Sequence, residues 1–166
     1  MQNRDFSPLE PVHNVKPYKH VQGIQEIERF FRTGGLEVDK EDIKRYYDFI
    51  ERKVADLLLA AQRVAKANDR IRVEPRDLPI ANGLQECIRD FERLDVNIGL
   101  GPILKDAVPE PELDLGYSDE TEARLPAIAG GLSLALARCF KIIDPQIKHA
   151  PPEQWERAFQ IFDLLL

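Results

Sequence analysis

Residues Asn68–Leu78 read NDRIRVEPRDL. Three arginines, two aspartates, the β-branched residues Ile71 and Val73, and Pro75 crowd one short connection between two amphipathic segments. Upstream, Ile43, Tyr46, Tyr47, Ile50, Val54, Leu57, Leu58, Ala61, Val64 and Ala65 recur at helical spacing, as one buried face of an α-helix requires. Asp39 suits the N-cap, and Glu41 and Asp42 suit the positive end of the helix dipole. The pattern predicts a helix from about Lys40 to Asn68, roughly 40 Å long. Downstream, Ile80, Leu84, Ile88, Phe91 and Leu94 mark a second helix, with Pro75 and Pro79 placing its start near the end of the connection. Before the long helix, Ile24, Ile27, Phe30 and Phe31 mark a short one, which Gly34 and Gly35 stop. The first unit is therefore short helix, long helix, short helix.

The second half repeats this order loosely. NIGLGPILKDAV (97–108) reads as a short, glycine-weakened helix. Ser118, with Thr121 or Glu122, offers capping chemistry for another long helix, whose buried face runs through Leu125, Ile128, Leu132, Leu136, Phe140 and Ile143. Trp155, Phe159, Phe162 and Leu166 mark the last helix. Gly130 and Gly131 stand in mid-helix, where each costs about 1 kcal/mol relative to alanine. With small neighbours, they predict a close crossing by another long helix. Only Ile71–Val73 looks β-like, so the fold class is all-α.

The first 20 residues contain three prolines and no sustained periodicity. Residues 1–21 read as an extended arm, laid over the body through Phe6, Leu9, Val12 and Tyr18.

The chain has 166 residues and a net charge of −6. Residues 1–94 hold 17 basic and 17 acidic side chains, whereas 95–166 hold 6 and 12. Duplex-DNA binders draw affinity from neutralised phosphates, so DNA contact here requires a local basic patch. Uninterrupted apolar runs fall short of the roughly 20 residues that cross a bilayer, and the opening residues show no secretory pattern. Cys87 and Cys139 sit in helical patterns without metal spacing, as in a reduced, cytoplasmic protein.

Short–long–short helices with a tight β-like connection resemble the histone fold. RIRVEPRDL carries the resemblance: an arginine at the loop start (Arg70), a β-branched residue three positions on (Val73) and an aspartate at the next helix (Asp77). What the resemblance implies is an Arg70–Asp77 salt bridge clamping the loop, and two units (22–94 and 95–166) paired head to tail. With both units in one polypeptide, the chain resembles bacterial histone-like proteins with tandem histone folds, a family of largely unassigned function. The second unit departs from the pattern, because DPQIKHAPPEQ (144–154) lacks the clamp.

The resemblance implies a nucleoid-associated role with weak, non-specific duplex contact through Arg70, Arg72 and Arg76, with Lys40, Lys148 and the arm residues Lys16 and Lys19 as lesser contacts. The alternative is a protein-interaction scaffold, self-associating through the terminal helices. Catalysis is not expected. His13, His20 and His149 are scattered, and neither a phosphate-cradling GxxxxGK nor a GxSxG elbow occurs. No cofactor or metal is implied.

Overall fold

The computed structural model describes residues 23–166; the expected arm, with Lys16 and Lys19, lies outside them. Six helices follow in order: α1 (Ile24–Thr33), α2 (Lys40–Ala67), α3 (Asn82–Ile98), α4 (Gly101–Ala107), α5 (Asp119–Ile143) and α6 (Pro152–Leu165). Among the described residues there is no strand, only one parallel bridge between Val73 and Tyr117. The chain is all-α.

Each helix boundary has a local cause. The Asp39 side chain accepts from Asp42 N at 2.9 Å, and Asp42 accepts in return from Asp39 N at 3.1 Å, a reciprocal cap that starts α2. Ser118 starts α5 by accepting from Thr121 N at 3.2 Å. After α1 the chain turns through Gly35 at φ 74°, and α3 ends where Gly99 takes φ 76°, a left-handed conformation that glycine adopts without steric cost.

Two boundaries differ from the sequence reading. Pro75–Asp77 form a separate 3-10 turn, and α3 begins only at Asn82. The residues preceding Pro75 and Pro79 are pushed toward extended backbone, as seen at Glu74 and Leu78. At its other end α3 continues to Ile98, beyond Leu94.

Helix α5 lies at the centre and packs against α2, α3, α4 and α6. Its middle, from Ile128 to Leu134, is buried throughout. By length and composition it is also long and apolar enough to cross a membrane, but more than half of that apolar stretch is covered by the rest of the fold. Aromatic rings join the layers: Phe31 meets Tyr46 edge-on, Trp155 meets Phe140, and Phe49 stacks on Phe159.

The glycine pair does mark a close crossing, but the neighbour is α3 and not another long helix. A Cβ at Gly130 would sit 2.5 Å from Phe91 Cγ and nearer still to two other ring atoms. At Gly131 it would lie 3.0 Å from the backbone N and Cα of Ile88. The long helices meet next to this point, where Tyr46 and Ser133 share a buried 2.7 Å hydrogen bond. Burial raises the Tyr46 pKa, so its hydroxyl keeps its proton.

Candidate interaction surfaces

The connection after α2 is clamped as expected. Arg70 donates through Nη2 and, at 3.1 Å, through Nε to the two oxygens of Asp77. Asp77 also accepts from Glu74 N at 2.9 Å and is 1% exposed. The Arg70 guanidinium holds the Asp77 carboxyl below the usual carboxylate range. Folding the turn back in this way sends Val73 toward the second half. Val73 N donates to Gly116 O at 2.9 Å, Ser118 N donates to Val73 O at 3.0 Å, and Thr121 Oγ1 donates to the same carbonyl at 3.1 Å.

This junction brings the arginines of 70–76 beside the acidic segment 110–120, where most of the cations are engaged. Arg72 pairs with Glu74 at 3.0 Å, and Lys66 pairs with Asp114 across the junction. Arg76 is exposed. A cleft of about 520 Å³ opens alongside, lined by Lys105 but also by Asp106, Glu110, Asp119 and Glu122. Burial, then Glu122 and Glu110, push the Tyr117 hydroxyl pKa up. Carboxylates so placed repel a phosphate chain and compete for the arginines.

At the opposite end the loop after α1 meets the loop before α6. Glu37 N donates to Lys148 O at 2.7 Å. His149 Nε2 lies 2.7 Å from Asp42 and 3.6 Å from Asp39. Lys40 and Lys148 are exposed on this edge. Asp39, Asp42 and His149 place ligand-type atoms within 4.8 Å of one another, the geometry of a cation site. However, Asp42 already accepts from Arg45 at 3.0 Å, from Asp39 N and from His149. The positive end of α2 also faces the trio, and it disfavours a cation. No sequence spacing could have exposed this trio, because 107 positions separate Asp42 from His149.

A third surface includes the last helix, where the alternative sequence reading placed self-association, and adds α3 and α5 to it. Helices α3, α5 and α6 bound an apolar groove of about 560 Å³, lined by Leu84, Leu132, Cys139, Ile142, Phe162 and Leu165 among others. Arg138 is the one charged side chain along it among the described residues, held to Asp90 at 2.7 Å. Ile142, Leu164 and Leu165 are 80%, 85% and 75% exposed. Both cysteines border the groove and are free; burial raises the Cys139 thiol pKa.

Behind the groove, α6 is tied to α2 by a buried cation. Lys53 is 2% exposed, with Nζ 2.6 Å from Asp163 and 3.0 Å from Asp56. Arg52 reinforces the tie, lying over the Phe159 ring at 5.6 Å and 3.6 Å from Asp163. Lys53 was passed over in the sequence because lysine is rarely buried without a partner, and Asp163 lies more than 100 positions away.

Two solved structures share this architecture. A protein from Thermus thermophilus is 44% identical, with a TM-score of 0.75, over 85% of this chain and 96% of that one. A protein from Aquifex aeolicus is 23% identical, with a TM-score of 0.77, over 87% and 95% of the two chains. A sequence comparison also finds an uncharacterized protein of Aquifex aeolicus (strain VF5), 23% identical over 84% of this chain and 79% of its own length. Residues 27–163 match the family described as a domain of unknown function, DUF1931, and the chain belongs to that family.

Proposed function

We propose that the chain is a single-chain pair of histone-like units, 22–94 and 95–166, that works as a protein-interaction scaffold and not as a DNA-wrapping protein. Head-to-tail pairing is supported by the two loop junctions. The Val73–Tyr117 bridge joins the second loop of one unit to the first loop of the other, and the Glu37–Lys148 bond does the reverse. The observation that carries the scaffold reading is the apolar groove between α3, α5 and α6, with Ile142 and Leu165 of its lining exposed. Its apolar lining suits a protein segment and offers a phosphate little.

Weak duplex contact is the second reading, favoured by exposed Arg76 and half-free Arg72 on one edge. The two readings differ in their response to salt. A DNA-binding edge gives a gel shift at low salt that fades steeply as salt rises, and Arg72→Glu with Arg76→Glu abolishes it. The scaffold reading expects no shift at low salt. A salt-sensitive complex lost in that variant would overturn it.

A further inference from the structure

The face that bears the groove has the relief of a surface that fits itself. Helix α6 stands as a ridge between two recesses: the groove against α3 and α5, and a cavity of about 420 Å³ against α2, whose lining includes Leu59 and Asp163. Leu166 borders both, so apolar surface continues across the ridge. Ile161, Leu164 and Leu165 are exposed along it, and Ile142 stands exposed in the groove's lining. A ridge flanked by its own groove suits a second copy of the chain. Under a two-fold rotation each α6 enters the groove of the other chain, and the same residues serve both sides of the contact.

Charge selects the same occupant. Each chain carries −6, so two copies repel one another over most of their surface. They meet at least cost where no charge is left unpaired. The groove offers this, because Arg138, the one charged residue of its lining among the described residues, is neutralised by Asp90 at 2.7 Å. A basic partner would be drawn instead to the cleft that holds Asp106, Glu110, Asp119 and Glu122. Size fits as well. The contributing parts of α3, α5 and α6 (82–90, 132–143 and 152–165) make about 50 Å of helix about 10 Å wide, a face of about 500 Å² in projection. With the relief of its side chains, such a face reaches the scale of a standard interface, roughly 800 Å² of accessible surface per partner.

Resting on the reading of the groove as a protein-binding surface, and naming its partner, we propose that the face of α3, α5 and α6 pairs with the same face of a second copy. The result is a two-fold dimer in which α6 of each chain lies in the groove of the other.

Light scattering and thiol reactivity read this contact independently. Interfaces of this size hold at micromolar Kd or tighter, so the parent is expected at twice the monomer mass at about 100 μM. Cys139 is free and lines the groove. Its labelling by N-ethylmaleimide, followed by mass spectrometry, is expected to slow as concentration rises into the dimeric range. Ile142→Glu with Leu165→Glu, both at exposed positions, brings two carboxylates per chain into the contact. That variant should raise the Kd at least about 30-fold while keeping the helical circular-dichroism spectrum. Val96→Glu, as exposed but off the groove, should leave the dimer intact. A parent that stays monomeric, with a Cys139 rate independent of concentration, overturns the proposal; the groove is then left to an unlike protein, and the reading beneath it stands. A dimer that the groove variant leaves intact overturns the proposal and also removes the support for the groove. Mass growing beyond two copies overturns the two-fold arrangement.

Discussion

Adding one methyl group at Gly130 tests the packing that defines this fold. The new Cβ would lie 2.5 Å from Phe91 Cγ, whereas ordinary contact begins near 3.4 Å, so the ring must retreat by about 1 Å. Phe91 has little room to retreat. It is 2% exposed and sits edge-on to Phe30 with ring centroids 6.0 Å apart. Overpacking of this kind costs about 1–3 kcal/mol, and rigid aromatic surroundings place it near the upper end. Removing a glycine from mid-helix returns about 1 kcal/mol. Gly130→Ala is thus expected to lose about 2 kcal/mol net, lowering the melting midpoint by roughly 4–8 °C for a chain of this size. In a Phe91→Ala background the clash is gone and the same substitution should stabilise by about 1 kcal/mol. The coupling between the two sites is then about 3 kcal/mol, within the range found for residues in contact. Urea denaturation of the four variants measures it. A Gly130→Ala protein as stable as the parent, with no coupling to Phe91, would refute the claim that the glycine exists to admit α3.

Three further outcomes follow from the ion pairs and loop edges. Because Arg70 holds the Asp77 pKa below its unfolded value, the clamp contributes fully above the ordinary carboxylate range, near pH 4, and is lost as pH falls below it. Asp77→Asn should lower stability at neutral pH, by about 1–3 kcal/mol for the weakened hydrogen bonds, and flatten the loss on acidification; an identical acid limb in parent and variant would count against the clamp. Asp163→Ala leaves Lys53 buried with only Asp56 and should cost about 1–2 kcal/mol, discounted because Asp163 is half exposed. Lys53→Met, which removes the buried charge, should cost less than Asp163→Ala, and thermal melts showing the reverse order would argue that Lys53 is stabilising in itself. Finally, Lys40→Glu with Lys148→Glu should leave DNA retention at low salt unchanged from the parent, which filter binding would check; a loss of retention would restore that edge as a phosphate contact.

Helix α2 was legible because its long apolar stripe allows one reading, and the Asp39 cap repeats in local chemistry what the stripe says globally. The Arg70–Asp77 pair was legible through the histone-fold resemblance, since both partners lie within one turn. Harder to read were contacts that join distant positions. Lys53 finds Asp163, and Asp42 finds His149, only after the second half folds back. The partner of Gly130 was misread for a related reason. A small-residue patch reports that something comes close, while the identity of the neighbour depends on where α3 is laid. The start of α3 was misplaced because two prolines four residues apart allow a 3-10 turn as readily as a helix start. As for the groove, its last-helix side was open to the sequence through self-association of the terminal helices, but the joining of Ile142 and Leu84 to it depends on how α3 and α5 are laid together.

The two loop junctions are chemically unlike. One is closed by a backbone bridge beside an arginine clamp, the other by a histidine set against two aspartates. Two copies of the first half placed against each other would face Asp39 and Asp42 with a segment that has no histidine, and Val73 with GGLEVDK instead of GYSDE. On the pairing proposed above, the two halves are therefore not interchangeable. On that pairing, a chain severed between Ile98 and Gly101 is expected to reassemble as one heterologous pair.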